Sequence, residues 1–336
     1  MNKAQFFFIL TLILFFSSCN KKEKNNRTVY TKHNEIAVII DDELWNGEIG
    51  DTLRNKFAGP ILGLPQEEPL FTINQYPVKL LEGFMSNNRN IILIKKESKS
   101  RFDLVENEFA KPQLVFHISG ETVKELLDSI QANDSLIIDR IKSLEISKYQ
   151  QELKNDTLLK NQKLKNKYRI LLDIPAKYKL VLKTKNFLWF KKEITSGNLS
   201  LIVYQLPYTS IKQNNNAIKR IVKIRDSING RFIRGAISNT KMVTEAAFSP
   251  YFSKIEIAGR KTYETKGSWE MQNDYMNGPF INYCIFDDKN QRILVLEGFC
   301  YAPSKQKRDL MFELEAIIKS IQFLKPNKSG KSKLAN

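Results

Sequence analysis

Two runs, Phe280-Ile-Asn-Tyr-Cys-Ile-Phe286 and Arg292-Ile-Leu-Val-Leu-Glu-Gly-Phe-Cys-Tyr301, decide the architecture of the chain. Both are rich in β-branched and aromatic residues, and Asp287-Asp288-Lys289-Asn290 between them has turn chemistry. The pair therefore reads as an antiparallel hairpin. A turn near Asp288 and Lys289 sets Cys284 opposite about Ile293 and Cys300 opposite about Asn277. The thiols are then displaced by ~7 residues, roughly 24 Å along the ladder, beyond disulfide reach. Two free, mostly buried thiols are expected.

Upstream, residues 254–258 and 261–271 add strands to the same run. Downstream, Pro303 precedes a final helix to about residue 321, with Leu310, Leu314, Ile317, Ile318 and Ile321 in one stripe. Residues 216–228 read as a helix stopped by Asn229-Gly230, and residues 187–193 and 199–206 as a second hairpin around Thr195-Ser196-Gly197-Asn198. A strand over 168–174 opens this half. Strands grouped together, with helices before and after, argue for an α+β fold rather than alternating βαβ units. Residues 168–324 are expected to form a helix-flanked sandwich domain.

The first half reads as a second α+β domain over 34–154, with an antiparallel sheet packed against helices. Its strands fall at 35–40, 71–76, 90–95 and 113–118, with a helix over 44–57. A helix over 121–131 carries Val123, Leu126, Leu127 and Ile130 on one face, and another runs from Asp134 to about residue 153. Residues 155–167 are polar and lysine-rich and are assigned as the linker. Residues 325–336 hold four lysines and no acid, a basic tail expected to be disordered.

The amino terminus carries a targeting pattern. Lys3 precedes an apolar run from Phe6 to Phe16, and Ser17-Ser18-Cys19 follows. A positive start, a short apolar core and small residues before a cleavage point make residues 1–18 a secretory signal. The run is shorter than the roughly 20 residues of a spanning helix. Ser-Ser-Cys resembles the lipobox of bacterial lipoproteins, which implies that Cys19 is acylated and becomes the new terminus. At ~0.8 kcal/mol per buried methylene, two or three chains anchor far more firmly than one. Residues 19–33 then form a lipidated tether, and the expected location is the outer membrane of the cell envelope, facing the periplasm.

The 336 residues leave room for roughly two domains. With 3 cysteines and 2 histidines, neither a disulfide scaffold nor a Cys/His zinc cluster is expected. The net charge of +17 is spread widely. An exported protein does not ordinarily meet nucleic acid, so the partners expected are the bilayer, through Cys19, and an anionic envelope lipid or envelope protein.

Four segments carry a family resemblance: Gly267-Ser-Trp-Glu-Met-Gln-Asn-Asp-Tyr-Met-Asn-Gly-Pro-Phe280, Gly298-Phe-Cys-Tyr-Ala-Pro-Ser-Lys-Gln-Lys-Arg308, Gly47-Glu-Ile-Gly-Asp-Thr-Leu-Arg54 and Gly63-Leu-Pro-Gln-Glu-Glu-Pro69. Across nearly all of the chain beyond the signal, the sequence resembles Bacteroidetes lipoproteins of domain of unknown function 4837. Asn277 replaces a glycine of that pattern, and Cys300 an aliphatic residue. The resemblance implies an envelope location and brings no activity with it. The second half is also loosely similar to Mog1/PsbP-like sandwiches, a likeness of fold alone.

No stretch matches a P-loop, a dinucleotide fingerprint, HExxH, GxSxG or CxxC, and no cofactor or metal is implied. His33 lies in the tether and His117 at the end of a strand, where a structural role competes with one as a base. Residues 45–69 look most like a site. Asp51 and Arg54 can share a helix face, and Glu67 and Glu68 follow on a loop braced by prolines. Asp51, Glu67 and Glu68 are the candidate acids for hydrolysis of glycan or peptide, provided two face each other across a cleft. Salt bridging and ligand contact, the latter with Trp45 and Arg54, are the alternatives. Tyr275 and Met276, beside the Gly278-Pro279 turn, are further contact candidates, whereas Trp269 and Phe280 read as core. Lys305, Lys307 and Arg308 stand at the start of the last helix, where cations oppose the dipole and hint at an anionic partner. Arg225, near an apolar stripe, is expected to snorkel. A non-enzymatic binding or assembly module leads; an envelope hydrolase is the alternative.

Overall fold

The structure is a computed structural model that describes residues 29, 31–81, 86–160, 162–211 and 216–324. The signal segment 1–18, Cys19, most of the tether and the tail 325–336 lie outside the described residues.

The first half contains β1 (Glu35–Ile39), α1 (Asp42–Trp45), α2 (Glu48–Phe57), β2 (Thr72–Tyr76), β3 (Asn90–Lys96), β4 (Arg101–Glu106), β5 (Leu114–Gly120) and α3 (Val123–Asn155). Its sheet runs β2-β1-β3-β5-β4. β1, β2, β3 and β5 are mutually parallel, and only β4 is antiparallel. This corrects the antiparallel sheet expected from sequence. Both faces of this sheet are buried: Ile36 and Val38 pack on one side, Ala37 and Ile39 on the other. Strands buried on both faces are what a parallel arrangement requires.

The two helices expected from residue 121 onward are one 33-residue helix, α3. Thr122 caps it by accepting from the Glu125 amide at 3.2 Å. Asp134 caps nothing; its carboxylate pairs with Lys56 on α2 at 2.6 Å. Conversely, the helix expected over 44–57 breaks at Asn46-Gly47 into α1 and α2.

The second half adds α4 (Gln162–Tyr168), β6 (Ile170–Leu171), β7 (Lys179–Lys183), β8 (Phe187–Ile194), β9 (Gly197–Pro207), α5 (Ala217–Phe232), β10 (Lys241–Thr244), β11 (Tyr251–Ile257), β12 (Arg260–Gln272), β13 (Asn277–Asp287), β14 (Arg292–Tyr301), α6 (Arg308–Lys319) and β15 (Gln322–Phe323). α4 begins inside the stretch assigned as linker, ends at the first residue of the expected strand, and buries Leu164 and Tyr168 in the core. The strand expected over 168–174 shrinks to β6, which pairs only with β15.

The main sheet is antiparallel, in the order β10-β12-β13-β14-β9-β8-β7, with β11 also on β12. Along β14, Leu294 and Leu296 enter a core with Leu314 and Ile317 of α6, while Ile293 and Val295 enter a core with Ile221 of α5. Helices thus cover both faces, and the apolar run is continuous because neither face meets water. The α+β class expected from sequence holds.

The hairpin register differs from expectation by two residues. Cys284 faces Val295, because the connection is the longer loop Asp288–Gln291 with Gln291 left-handed at φ 48°. Both cysteines are free and buried, and they lie on opposite faces of the sheet. At the other end, a side chain on Gly278 would place its Cβ 2.1 Å from the Cys300 carbonyl oxygen, so only glycine fits there.

Candidate functional site: a cavity between the two halves

The halves meet where α3 packs along α6. Gln150 donates to the Ala316 carbonyl at 3.0 Å, and Asn34 to the Asp309 carboxylate at 3.1 Å. The loop after α2 reaches over to the second half. Gly63 there adopts φ +87°, and a Cβ on it would lie 2.9 Å from the Lys266 side chain. The missing side chain lets the loop close on β12.

Under this loop is a cavity of about 480 Å³. Its apolar wall includes Leu64 and Phe71 from the first half, Ile146 of α3, Phe252 of β11, Ile281 of β13 and Phe312 of α6. Leu62 and Tyr251 line it while remaining 57% and 50% exposed. The volume falls in the ~300–1,000 Å³ range of small-molecule sites.

A charged group interrupts the wall. Glu264 and Lys266 occupy alternate positions of β12 and pair at 3.3 Å, Glu315 of α6 pairs with Lys319 at 2.5 Å, and Lys142 of α3 completes the set. Burial works against ionisation of Glu315, but Lys266 and Lys319 overcome it and hold the carboxyl down to about 2. The Lys266 ammonium is likewise favoured against burial, by Glu315 and Glu264. Lys142 is pushed down, first by desolvation and then by Lys266. Behind them the buried Tyr283 hydroxyl lies close to both carboxylates without a well-formed hydrogen bond. A carboxyl that stays ionised at neutral pH is a poor proton donor.

A second ionic cluster sits beside the cavity. His33 bridges Glu145 and Glu152, each at 2.8 Å, and Arg89 reaches Glu145 at 2.7 Å. Asn90 donates to the other Glu145 oxygen at 2.7 Å. The imidazole also packs on Tyr149 and on Phe312 of the cavity wall.

In comparison with known proteins, the two halves match different family models. Residues 157–320 match the family model described as domain of unknown function (DUF4837). The second half carries that match. Residues 30–154 match a separate one, domain of unknown function (DUF8532). The first-half segments of the sequence resemblance, Gly47–Arg54 and Gly63–Pro69, therefore lie in the DUF8532 stretch. No curated protein matches the chain significantly. Among solved structures, the Ran-binding protein Mog1p of Saccharomyces cerevisiae is similar at 9% identity and TM-score 0.32, covering 46% of this chain and 90% of that one. CyanoP from Synechocystis sp. PCC 6803 follows at 10% identity and TM-score 0.30, covering 46% and 86%. Human StAR-related lipid transfer protein 5 gives 10% and 0.23, covering 52% and 93%.

The residues singled out from sequence are dispersed. Asp51 is exposed and pairs with Arg54 at 2.8 Å, and the Arg54 guanidinium lies 4.5 Å from the Trp45 ring centre. These three form a clasp on the DUF8532 surface. Glu67 is exposed, whereas Glu68 is buried and accepts from the backbone amides of Lys307 and Arg308 in the DUF4837 domain. The candidate acids therefore do not face one another across the cavity. Glu68 thus meets the backbone at the start of α6 and not the cationic side chains there. Lys307 is buried against Gln66, Arg308 donates to Thr72, and Lys305 is exposed.

Tyr275 is 99% exposed, and Met276 packs partly into the DUF4837 core. Trp269 and Phe280 are core, as expected, and the Trp269 indole donates to the Cys300 carbonyl at 3.2 Å. Arg225 does not snorkel: it is fully buried on Glu297 at 2.9 Å and over the Phe280 ring at 3.8 Å. His117 pairs with Glu108 at 2.6 Å away from the cavity lining.

Sequence reading missed Lys142, Glu264, Lys266, Glu315, His33 and Glu145 as a group. One signal was present. Glu145 continues the stripe Ile137, Ile141 at helical spacing, and a carboxylate on an apolar stripe needs a buried partner. Among the described residues, no cluster of His, Cys, Asp or Glu is arranged to hold a metal, and no helix is long and apolar enough to cross a membrane.

Proposed function

We propose that the chain is a non-enzymatic binding module of the cell envelope, tethered to the outer membrane through acylated Cys19, whose inter-domain cavity receives an apolar ligand. The observation that carries the binding role is the apolar cavity of about 480 Å³ roofed by one domain and floored by the other. Exposed Leu62 and Tyr251 at its edge add an apolar approach. The tether rests on the Ser17-Ser18-Cys19 pattern. A hydrolase reading needs two acids poised across a cleft, and Asp51, Glu67 and Glu68 do not meet that requirement.

Membranes carrying the full chain are photolabelled with a long-chain fatty alcohol bearing a diazirine, and the labelled peptides are mapped by mass spectrometry. Label is expected on peptides around Leu64, Ile146 and Phe312, and is lost in Ile146→Trp, which fills the cavity. Label spread elsewhere and indifferent to Ile146→Trp would refute the binding role. Radiolabelled palmitate entering the wild type but not Cys19→Ala tests the tether.

A further inference from the structure

We propose that the cavity selects a single-chain amphiphile with an anionic head, a carboxylate or a phosphate, and that Lys142 is the residue that receives the head. This rests on the binding role above and names its ligand class.

Three ammoniums, of Lys142, Lys266 and Lys319, act on the same group as the two carboxylates of Glu264 and Glu315. Lys266 is already matched to Glu264 at 3.3 Å and Lys319 to Glu315 at 2.5 Å. One positive charge remains. Lys142 has no hydrogen-bond or ion-pair partner among the described residues. It projects from α3 one turn before Ile146 and one after Ile138, both on the apolar wall. An amphiphile lying along that wall would carry its chain past Ile146 and Phe312 and leave its head at Lys142.

The other cation of the lining, Arg308, is occupied by Asp309, Thr72 and the Pro69 carbonyl. A cationic head would meet the surplus lysine and be repelled, and a neutral head would leave it unmatched. The volume lies in the lower half of the range for small-molecule sites, which suits one chain rather than a two-chain lipid.

The experiment compares three photoreactive probes of equal chain length on membranes carrying the full chain: a fatty acid, a lysophosphatidic acid and the fatty alcohol. The acid-headed probes should label the cavity peptides about fivefold more strongly than the alcohol at sub-saturating dose, the scale of one ion pair at a solvated rim. Lys142→Met keeps the stem and removes the charge. It should bring the acid-headed probes down to the alcohol's level and leave the alcohol unchanged. Preference for the fatty acid identifies a carboxylate ligand, and preference for the lysophosphatidic acid a phosphate ligand; either supports the proposal. Equal labelling by all three, or a preference that survives Lys142→Met, overturns it while the binding role stands. No cavity labelling by any probe removes both.

Discussion

The carboxylate of Glu68 lies 2.7 Å from the backbone amide of Lys307, 239 residues further along the chain. Its second oxygen accepts from the Arg308 amide at 2.8 Å. Lys307 at the start of α6 makes no side-chain cap of its own, and the first amides of any helix need an acceptor. The DUF8532 loop supplies that acceptor, so one side chain both caps α6 and pins the roof of the cavity.

Glu68→Ala should therefore cost about 1–2 kcal/mol, the scale of a lost N-cap. Hydrogen exchange should rise first in the opening turn of α6 and in the loop around residues 60–70. Exchange unchanged at both places would show that the contact contributes nothing.

The His33 cluster predicts a pH dependence. Burial disfavours the imidazolium, but hydrogen bonds to Glu145 and Glu152 outweigh it, and the pKa is raised above 6.5. A raised folded-state value means the stabilisation is complete below pH ~6.5 and is lost as pH climbs through the folded value. Thermal unfolding followed from pH 6 to pH 8 should show a falling midpoint that flattens in His33→Gln. Equal slopes in both proteins would exclude this source.

Glu297 should be among the most costly residues to remove. It is fully buried and accepts from Arg225, Asn229 and Asn282. Glu297→Ala strands the buried Arg225 guanidinium, and breaking such a pair costs about 3–5 kcal/mol. Denaturant unfolding with a shift below 1 kcal/mol would contradict the role assigned to this network.

The two described cysteines should resist modification. Burial pushes the Cys300 thiol up to about 12 and Cys284 higher still, so neither forms the reactive thiolate near neutral pH. In the Cys19→Ala chain, a thiol reagent at pH 8 should react slowly until denaturant is added, and then with both. Rapid reaction of the native chain would place at least one thiol at the surface.

Continuous apolar runs announced β13 and β14, and β14 was bounded correctly at Arg292 and Tyr301. The helices α5 and α6 followed from their stripes, but α5 continues through the expected stop at Asn229-Gly230 to Phe232. What failed was pairing. Parallel and antiparallel strands share one local pattern, so the order β2-β1-β3-β5-β4 had no local signature. The Cys284 register slipped by two because the Asp288–Gln291 loop is longer than a tight turn. The edge strand Lys179–Lys183 was missed because its apolar run, Leu180-Val181-Leu182, is only three residues long and is flanked by lysines.

The candidate site was legible only as a region. Residues 45–69 were singled out, and part of that loop does roof the cavity, yet the acids chosen there serve as a surface clasp and a helix cap. The sequence by itself determined the α+β class, the two free thiols and the cores that cover the second sheet, since periodicity and side-chain chemistry act over a few residues. Only the tertiary structure decided that Lys142, Glu264, Lys266 and Glu315 surround one cavity. Their proximity comes from packing α3 against α6 and closing the loop at Gly63, contacts between segments far apart in the chain that no local propensity encodes.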